Sequence, residues 1–269
     1  MPKTILITGA TDGIGRLTAL ALAGQGHNIL VHGRTAEKVA ATVDAIKTET
    51  GNNDIEGYPA DLSDLDTVRA MARDLLAAHP KLDVLINNAG IGPSANGGRR
   101  TLSADGLELR FQVNYLATVL ISELLLPLLQ AARGRIVNLG SAAQEDLDLN
   151  DLTTEKGFSG MKAYARSKLA VVMYTFTLAE RLAETGVTAN AMDPGSMLAT
   201  KMVAEMNAGS IGRPEDGAER EVYLATSPAV DGVSGKYFSD NRIAQARAQA
   251  YDNLIREALW AQTKRILNL

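Results

Sequence analysis

Tyr164-Ala-Arg-Ser-Lys168 holds the pair of side chains best suited to moving a proton. It sits on the longest helical pattern, Lys162–Glu184. Positions i and i+4 share a helix face, so phenol and ammonium can address one ligand. A free tyrosine ionises near pH 10, and use near neutrality requires its pKa to fall by roughly 3, about 4 kcal/mol. One ammonium about 4 Å away, at an effective dielectric near 20, supplies about that much. Taken alone the pair is common, and its plain reading is a half-buried tyrosine beside a surface lysine. Ser141 follows the apolar run Arg135–Leu139. Its hydroxyl either holds a substrate oxygen beside the phenol or closes a turn. Asn114 lies in Phe-Gln-Val-Asn-Tyr, within a helical stretch that begins after Ser103. Asparagine is a weak helix former; it either binds a water that relays protons to Lys168 or kinks the helix.

A second cluster follows the apolar run Thr4–Thr8: Gly9-Ala10-Thr11-Asp12-Gly13-Ile14-Gly15, then a helical pattern, Ile14–Gly24. Glycines permit a tight turn and close approach of backbone to a pyrophosphate. A helix amino terminus adds free N–H donors and a partial positive charge. The spacing is G-x-x-x-G-x-G rather than G-x-G-x-x-G, and its context of strand before and helix after favours a nucleotide site. An acid ending the second strand would bind a ribose 2′-hydroxyl. This strand ends Val31-His32-Gly33-Arg34 instead. Arg34 matches a 2′-phosphate, with Lys38 and Arg16 as weaker candidates, so NADP(H) is expected over NAD(H).

Composition narrows the remaining chemistry. The chain has 269 residues, 31 acidic and 27 basic side chains, a net charge of −4 and 46% hydrophobic residues, which excludes a disordered chain. It has no cysteine and only three scattered histidines, His27, His32 and His79, so thiolate chemistry is excluded and a metal site is not expected. A slightly acidic chain with 4% aromatics is not expected to bind nucleic acid. The most apolar stretch, Val119–Leu129, is broken by Glu123 and Pro127, and the amino terminus has no signal-like segment, so no transmembrane segment and a cytoplasmic location are expected.

The elements that must position these residues alternate along the chain. Candidate strands are Thr4–Thr8, Asn28–His32, Ile55–Pro59, Leu82–Ile86, Arg135–Leu139, Val187–Met192 and Gly235–Phe238. Between them lie helical patterns at Ala36–Thr48 (capped by Thr35), Asp64–Ala78 (capped by Ser63), Ser103–Asn114, Lys162–Glu184 and Pro214–Ala225. This alternation predicts an α/β protein with one parallel, doubly wound sheet. Ligands of such sheets bind beyond the carboxyl ends of the strands, where Gly9–Gly15, Ser141 and the segment after Met192 all fall.

Taken together, these residues resemble the short-chain dehydrogenase/reductase family. Thr8–Gly15 resembles its nucleotide turn, Asp61-Leu62 its adenine contact, and Asn87-Asn88-Ala89-Gly90 its motif after the fourth strand. Asn114, Ser141, Tyr164 and Lys168 match its catalytic tetrad, and Pro194-Gly195 its nicotinamide-side turn. The likeness spans nearly the whole chain. It implies a single Rossmann-type domain, 1–269, with a seven-stranded parallel sheet in order 3-2-1-4-5-6-7 and helices on both faces. It also implies a homodimer or homotetramer. Twenty-three residues separate Ser141 from Tyr164, and the acidic-apolar insert Gln144–Leu152 between them resembles the retinol-dehydrogenase-like branch, which is also similar to protochlorophyllide reductases. That branch generally prefers NADP(H). Where the family commonly has a threonine for the nicotinamide carboxamide, this chain has Ala199, with Thr200 next. Either the loop carries one more residue or the contact is lost.

The implied reaction passes a hydride between nicotinamide C4 and a carbonyl carbon. Tyr164 serves as general acid or base, Ser141 orients the oxygen, and Lys168 lowers the Tyr164 pKa and binds ribose. Six of eight methionines lie between Met161 and Met206, with Met197, Met202 and Met206 in the substrate loop, about 195–213. They either form an apolar pocket wall or simply pack beneath the loop. Gly92–Arg100 is a second candidate rim, whose Arg99 and Arg100 either meet an anionic substrate or, as the plainer reading, belong to a solvated loop. The tail, about 242–269, reads as an amphipathic helical pattern of net charge +3 carrying the sole tryptophan, Trp260. It either packs on the domain, covers the site or meets a second subunit. The alternative to an enzyme is a non-catalytic NADP(H)-binding sensor; dehydration or epimerisation on the same fold is a third possibility.

Overall fold

The computed structural model describes residues 1–207 and 209–269. Its strands are β1 (Thr4–Ile7), β2 (Asn28–Gly33), β3 (Ile55–Pro59), β4 (Val84–Asn87), β5 (Arg135–Leu139), β6 (Thr188–Asp193), β7 (Tyr237–Ser239) and β8 (Arg242–Ala244). They form one sheet in the order β3-β2-β1-β4-β5-β6-β7-β8. The first seven are parallel, and β8 pairs antiparallel with β7. The sheet therefore has eight strands, one more than expected. Asp240 and Asn241 both take positive φ, 49° and 59°, which closes a two-residue hairpin and folds the start of the tail back onto the sheet edge.

Strand residues alternate between two cores, as pleating requires. Leu30, Leu6, Leu85, Ile136 and Ala189 lie in register across β2, β1, β4, β5 and β6, and all enter one core. Ile5, Ile7, Val31, Ile86, Val137 and Met192 enter the other. The helices that cover the sheet are α1 (Gly13–Gly24), α2 (Ala36–Thr50), α3 (Leu65–Ala78), α4 (Ala117–Leu124), α5 (Leu126–Ala132), α6 (Gly160–Arg181), α7 (Lys201–Ala204), α8 (Pro214–Thr226) and α9 (Asn253–Leu267). Strand order reverses between β1 and β4, which opens the crevice where dinucleotides bind in such sheets.

Three local expectations change. Ser103–Asn114 is not one helix: Asp105-Gly106 turns the chain, with Gly106 at φ 75°, and Ser103 N–H bonds Leu107 O at 2.8 Å. A buried π-helical segment follows at Phe111–Leu116, so Asn114 sits in a widened turn. Asp64, not Ser63, caps α3, because Ser63 bonds Asp61 Oδ1 at 2.9 Å through its N–H and 2.7 Å through its hydroxyl. The tail is not one helical run, since β8 and a 3₁₀ turn, Ala248–Tyr251, precede α9. That helix packs on α6, with Trp260 tilted against Tyr174 at 6.0 Å and beneath the Arg181 guanidinium at 4.4 Å.

The tail also clasps the acidic insert. Leu147 N–H bonds Gln249 Oε1 at 2.7 Å, and Gln249 Nε2 bonds Leu147 O at 3.0 Å. Gln262 bonds Leu149 O at 3.1 Å, and Arg247 pairs with Asp146 at 2.5 Å. Among the described residues no single helix is long and apolar enough to cross a membrane.

Candidate active site

Ser159 caps α6 by accepting from Lys162 N–H, and the helix carries Tyr164 and Lys168 to the carboxyl end of β5. Lys168 is buried, and its Nζ donates to Leu139 O at 2.8 Å. The same Nζ lies 5.9 Å from the centre of the Tyr164 ring. Ser141 Oγ accepts from Ala143 N–H at 3.1 Å, and its hydroxyl is near enough to the Tyr164 phenol to act on its pKa. Asn114 Oδ1 accepts from Ile91 N–H at 2.8 Å, while its Nδ2 donates to Ile91 O at 3.1 Å and Ser167 Oγ at 3.0 Å. Its amide thus clamps the loop after β4 to α6, and both of its N–H groups are spent on protein. Gly90 lies between them: a Cβ there would stand 3.2 Å from Asn114 Oδ1 and 3.5 Å from Lys168 Nζ. The four residues converge at one end of the sheet.

Burial governs the protonation of the pair. It raises the Tyr164 pKa, a rise that the Asp193 charge reinforces and the Ser141 hydrogen bond opposes. Burial lowers the Lys168 pKa to about 8, with Asp193 and Glu221 pulling it back up. The sequence-based expectation of a phenol depressed by its lysine is therefore not what this geometry produces. The ammonium is aimed at a carbonyl, and desolvation outweighs it.

The glycine turn is held from behind. Gly9 takes φ 67°, and its N–H bonds His32 Nδ1 at 3.0 Å. His32 Nε2 in turn donates to Ala60 O at 3.1 Å, which requires the neutral ring. Burial lowers its pKa to about 4 and keeps it neutral. Asn88 Nδ2 bonds Thr8 O at 2.7 Å and Gly9 O at 3.2 Å, and Ala89 N–H bonds Thr8 Oγ1 at 3.0 Å. A Cβ on Gly15 would fall 2.3 Å from Asn88 Nδ2, so glycine is obligatory there. Thr11 packs where a Gly33 Cβ would stand, 2.3 Å from that position. Asp12 caps α1 through Gly13 N–H at 2.8 Å, leaving the N–H groups of Ile14 and Gly15 without a bond among the described residues. These donors at a helix amino terminus fit a pyrophosphate.

The other candidates surround this turn. Arg34 and Lys38 are exposed just beyond β2. Arg16 is instead paired with Glu49 at 2.8 Å. Asp61 and Leu62 follow β3, with Leu62 buried. Pro194 and Gly195 follow β6, where Gly195 takes φ 116° and Arg220 Nη1 bonds Pro194 O at 2.6 Å. Thr200 immediately precedes α7, and its Cγ2 is 3.8 Å from where a Gly13 Cβ would stand, whereas Ala199 faces solvent. Of the two, Thr200 is the side chain that reaches the glycine turn. Met202 lies against Gly92, where a Cβ would stand 2.5 Å from its Cγ, so the two rim loops touch. Arg99 and Arg100 turn elsewhere; Arg100 pairs with Glu155 at 3.3 Å.

Three supporting residues escaped the sequence reading: His32, Arg220 and Arg110. Arg110 is wholly buried with Glu108 at 3.0 Å and bonds Gly92 O, Pro93 O and Ala95 O at 3.2, 2.9 and 2.7 Å. It fixes the 92–99 rim. Apart from Glu108, its partners are backbone carbonyls, which leave no trace in composition.

Glu221 on α8 is wholly buried and accepts from Thr18 Oγ1 at 2.6 Å, while its Oε1 has no partner among the described residues. Burial raises its pKa from the ordinary 4.5 to about 8. The folded state thus keeps a proton that the unfolded state releases, so this stability is intact below about pH 4.5 and lost as pH rises toward 8. Glu221→Gln removes the loss. The variant's melting temperature relative to the parent should climb between pH 5 and 8 by roughly 5–10 °C, for a gain on the order of 3 kcal/mol. His32 has the opposite slope, since its contribution is full above about pH 6.5 and falls toward pH 4, but it is common to both proteins and cancels. Thermal unfolding followed by circular dichroism across that range measures the difference, and a flat difference refutes the assignment.

Residues 3–210 match the family model for short chain dehydrogenase. The chain is 34% identical over 285 residues to human retinol dehydrogenase 13, covering 99% of this chain and 85% of that protein. It is 35% identical over 283 residues to mouse retinol dehydrogenase 14, covering 96% and 84%. Among solved structures, a protein from Mycobacterium paratuberculosis superposes with a TM-score of 0.80 at 28% identity over 99% of this chain and 93% of that one. The Pseudomonas aeruginosa RhlG/NADP active-site complex superposes with a TM-score of 0.71 at 27% identity, covering 88% and 93%.

Proposed function

Because the chain belongs to the short chain dehydrogenase family, with retinol dehydrogenases among its relatives, we propose that it interconverts a carbonyl and an alcohol with NADP(H) as cofactor. Membership makes it an NAD(P)-dependent oxidoreductase. The convergence of Ser141, Tyr164 and Lys168 beside the amino terminus of α1 supports the finer reading. Ile14 and Gly15 N–H groups would hold the pyrophosphate, Arg34 and Lys38 a 2′-phosphate, and Thr200 with Pro194-Gly195 the nicotinamide end. Asp61, Leu62, Asn88, Ala89 and Gly90 would line the adenosine side and floor. NADP(H) complexes of similar structures agree with this preference. A bound nicotinamide supplies or accepts the hydride.

The protein's own residues handle the oxygen and its proton. The Tyr164 phenol, kept protonated by burial, gives its proton to the carbonyl oxygen in reduction and recovers it in oxidation. Ser141 Oγ–H, near that phenol, orients the same oxygen and steadies its developing charge. Lys168, anchored on Leu139 O, brings positive charge to the buried end of the site. Asn114 keeps α6 and the loop after β4 in register. Met202 against Gly92 gives the substrate one apolar flank.

A screen of NADPH oxidation over aldehydes, ketones and quinones, with NADP⁺ and alcohols in parallel, tests this reading. Turnover is expected with at least one carbonyl class and should favour NADPH over NADH. Tight NADPH binding without turnover across the panel would overturn it in favour of a cofactor sensor.

A further inference from the structure

A cavity of about 450 Å³ opens beside Ser141, lined by Ala142, Gln144, Asp193, Tyr237, Ser239 and Arg247. Its size falls among small-molecule sites. Strand alternation places it on the α6 side of the sheet. Met192 and Phe238 enter the opposite core, and Tyr237 the α6 core, so Asp193 and Ser239 face the side that carries Tyr164 and Lys168. The wall is joined to the backbone of Ser141. Tyr237 Oη and Gln144 Nε2 both donate to Ser141 O, at 3.0 and 2.7 Å. The Asp193 carboxylate is near enough for its charge to act on Tyr164, Lys168 and Tyr237.

Most polar atoms of this wall are already committed. Gln144 Oε1 accepts from Arg247 N–H at 2.9 Å, and the Arg247 guanidinium is neutralised by Asp146. Asp193 Oδ1 accepts from Gly195 N–H at 3.1 Å. Apart from the exposed Gln245 amide at the rim, which also has none, two side-chain atoms of the wall have no hydrogen bond among the described residues: Asp193 Oδ2 and Ser239 Oγ. One is an anionic acceptor, and the other both donates and accepts. An anionic ligand would meet the Asp193 charge. An all-carbon chain would strip water from Asp193 Oδ2 and return nothing, and sites built to pair a hydroxyl reject analogues lacking it.

Building on the oxidoreductase reading, we propose that this cavity is a subsite for an uncharged, hydroxyl-bearing arm of the substrate, which donates to Asp193 Oδ2 and exchanges a hydrogen bond with Ser239. The preferred substrate is then a carbonyl compound that is apolar on the Met202 side and hydroxylated on the Asp193 side.

A matched pair of probes tests it: 4-(hydroxymethyl)benzaldehyde and 4-ethylbenzaldehyde, which differ by a hydroxyl in place of a methyl. Their product alcohols, 1,4-benzenedimethanol and 4-ethylbenzyl alcohol, report binding separately, by ligand-observed NMR with NADP⁺ present. The native protein should favour the hydroxylated member about tenfold or more in kcat/KM and in alcohol affinity, as a charge-assisted hydrogen bond allows. Asp193→Asn, which keeps an acceptor for Gly195 N–H, and Ser239→Val should each bring both ratios toward one. A native alcohol-affinity ratio near or below one overturns the subsite, as does a ratio that neither variant changes. Selective binding of the diol that both variants abolish, with no turnover of either aldehyde, supports the subsite and counts against the oxidoreductase reading instead.

Discussion

Tyr164→Phe should lower carbonyl reduction by about a thousandfold, within the range general acid catalysis contributes, while NADPH affinity changes less than about threefold. The ring keeps its place on α6 and its volume, and only the oxygen that meets Ser141 is lost. The remaining Ser141 hydroxyl can orient a carbonyl but supplies no proton matched to the step. The parent's pH profile carries a second mark of the same geometry. Burial raises the Tyr164 pKa, so the phenol keeps its proton through the neutral range. Lys168 loses its own near pH 8. In reduction, kcat/KM should therefore bend downward near pH 8. Stopped-flow NADPH oxidation gives both quantities. Turnover by Tyr164→Phe within tenfold of the parent would remove Tyr164 from the reaction.

The second large effect concerns cofactor choice. Arg34→Ser should weaken NADPH binding about 10- to 100-fold and leave NADH binding nearly unchanged, because a guanidinium–phosphate pair is charge-assisted and bidentate. Arg34 is well placed for this: it is exposed immediately after β2, beside the Gly33–Thr11 contact that brings the glycine turn against that strand. Lys38→Ser should cost less than about fivefold, since a flexible ammonium near the surface is screened. Arg16, engaged with Glu49, should contribute least. Titrations of cofactor fluorescence measure all three. Equal NADPH and NADH affinities in the parent would sink the assignment.

Much of this architecture could be read from local pattern. The bounds of β3 and β5 are as expected, Ile55–Pro59 and Arg135–Leu139: Gly134 and Gly140 bracket the apolar run of β5, and Asn52-Asn53-Asp54 and Asp61 flank the more exposed β3. The order of Gly9–Gly15, Asn114, Ser141, Tyr164 and Lys168 was visible because each side chain sits at an element's end or on one helix face. What stayed hidden depends on partners far away in sequence. His32 looked like one more residue of a buried strand, yet its ring bonds a peptide N–H of the glycine turn. Arg110 fitted a helix surface and is instead buried among carbonyls. Strand β8 is only three residues long, too short for periodicity to mark it. The signal was there in Asp240-Asn241, a pair that accepts left-handed backbone and suits a two-residue hairpin.

The clasp between the insert and the tail has a bearing on how the molecule is made. Leu147 waits 102 residues for Gln249, and Leu149 waits 113 for Gln262. Contacts of such separation form late, after the local pairings that close the sheet. During synthesis the glycine turn and β1–β5 leave the ribosome well before either clasp can form. The cofactor end of the crevice can therefore take shape first, and the wall beside Ser141 is finished only when the chain reaches Arg247.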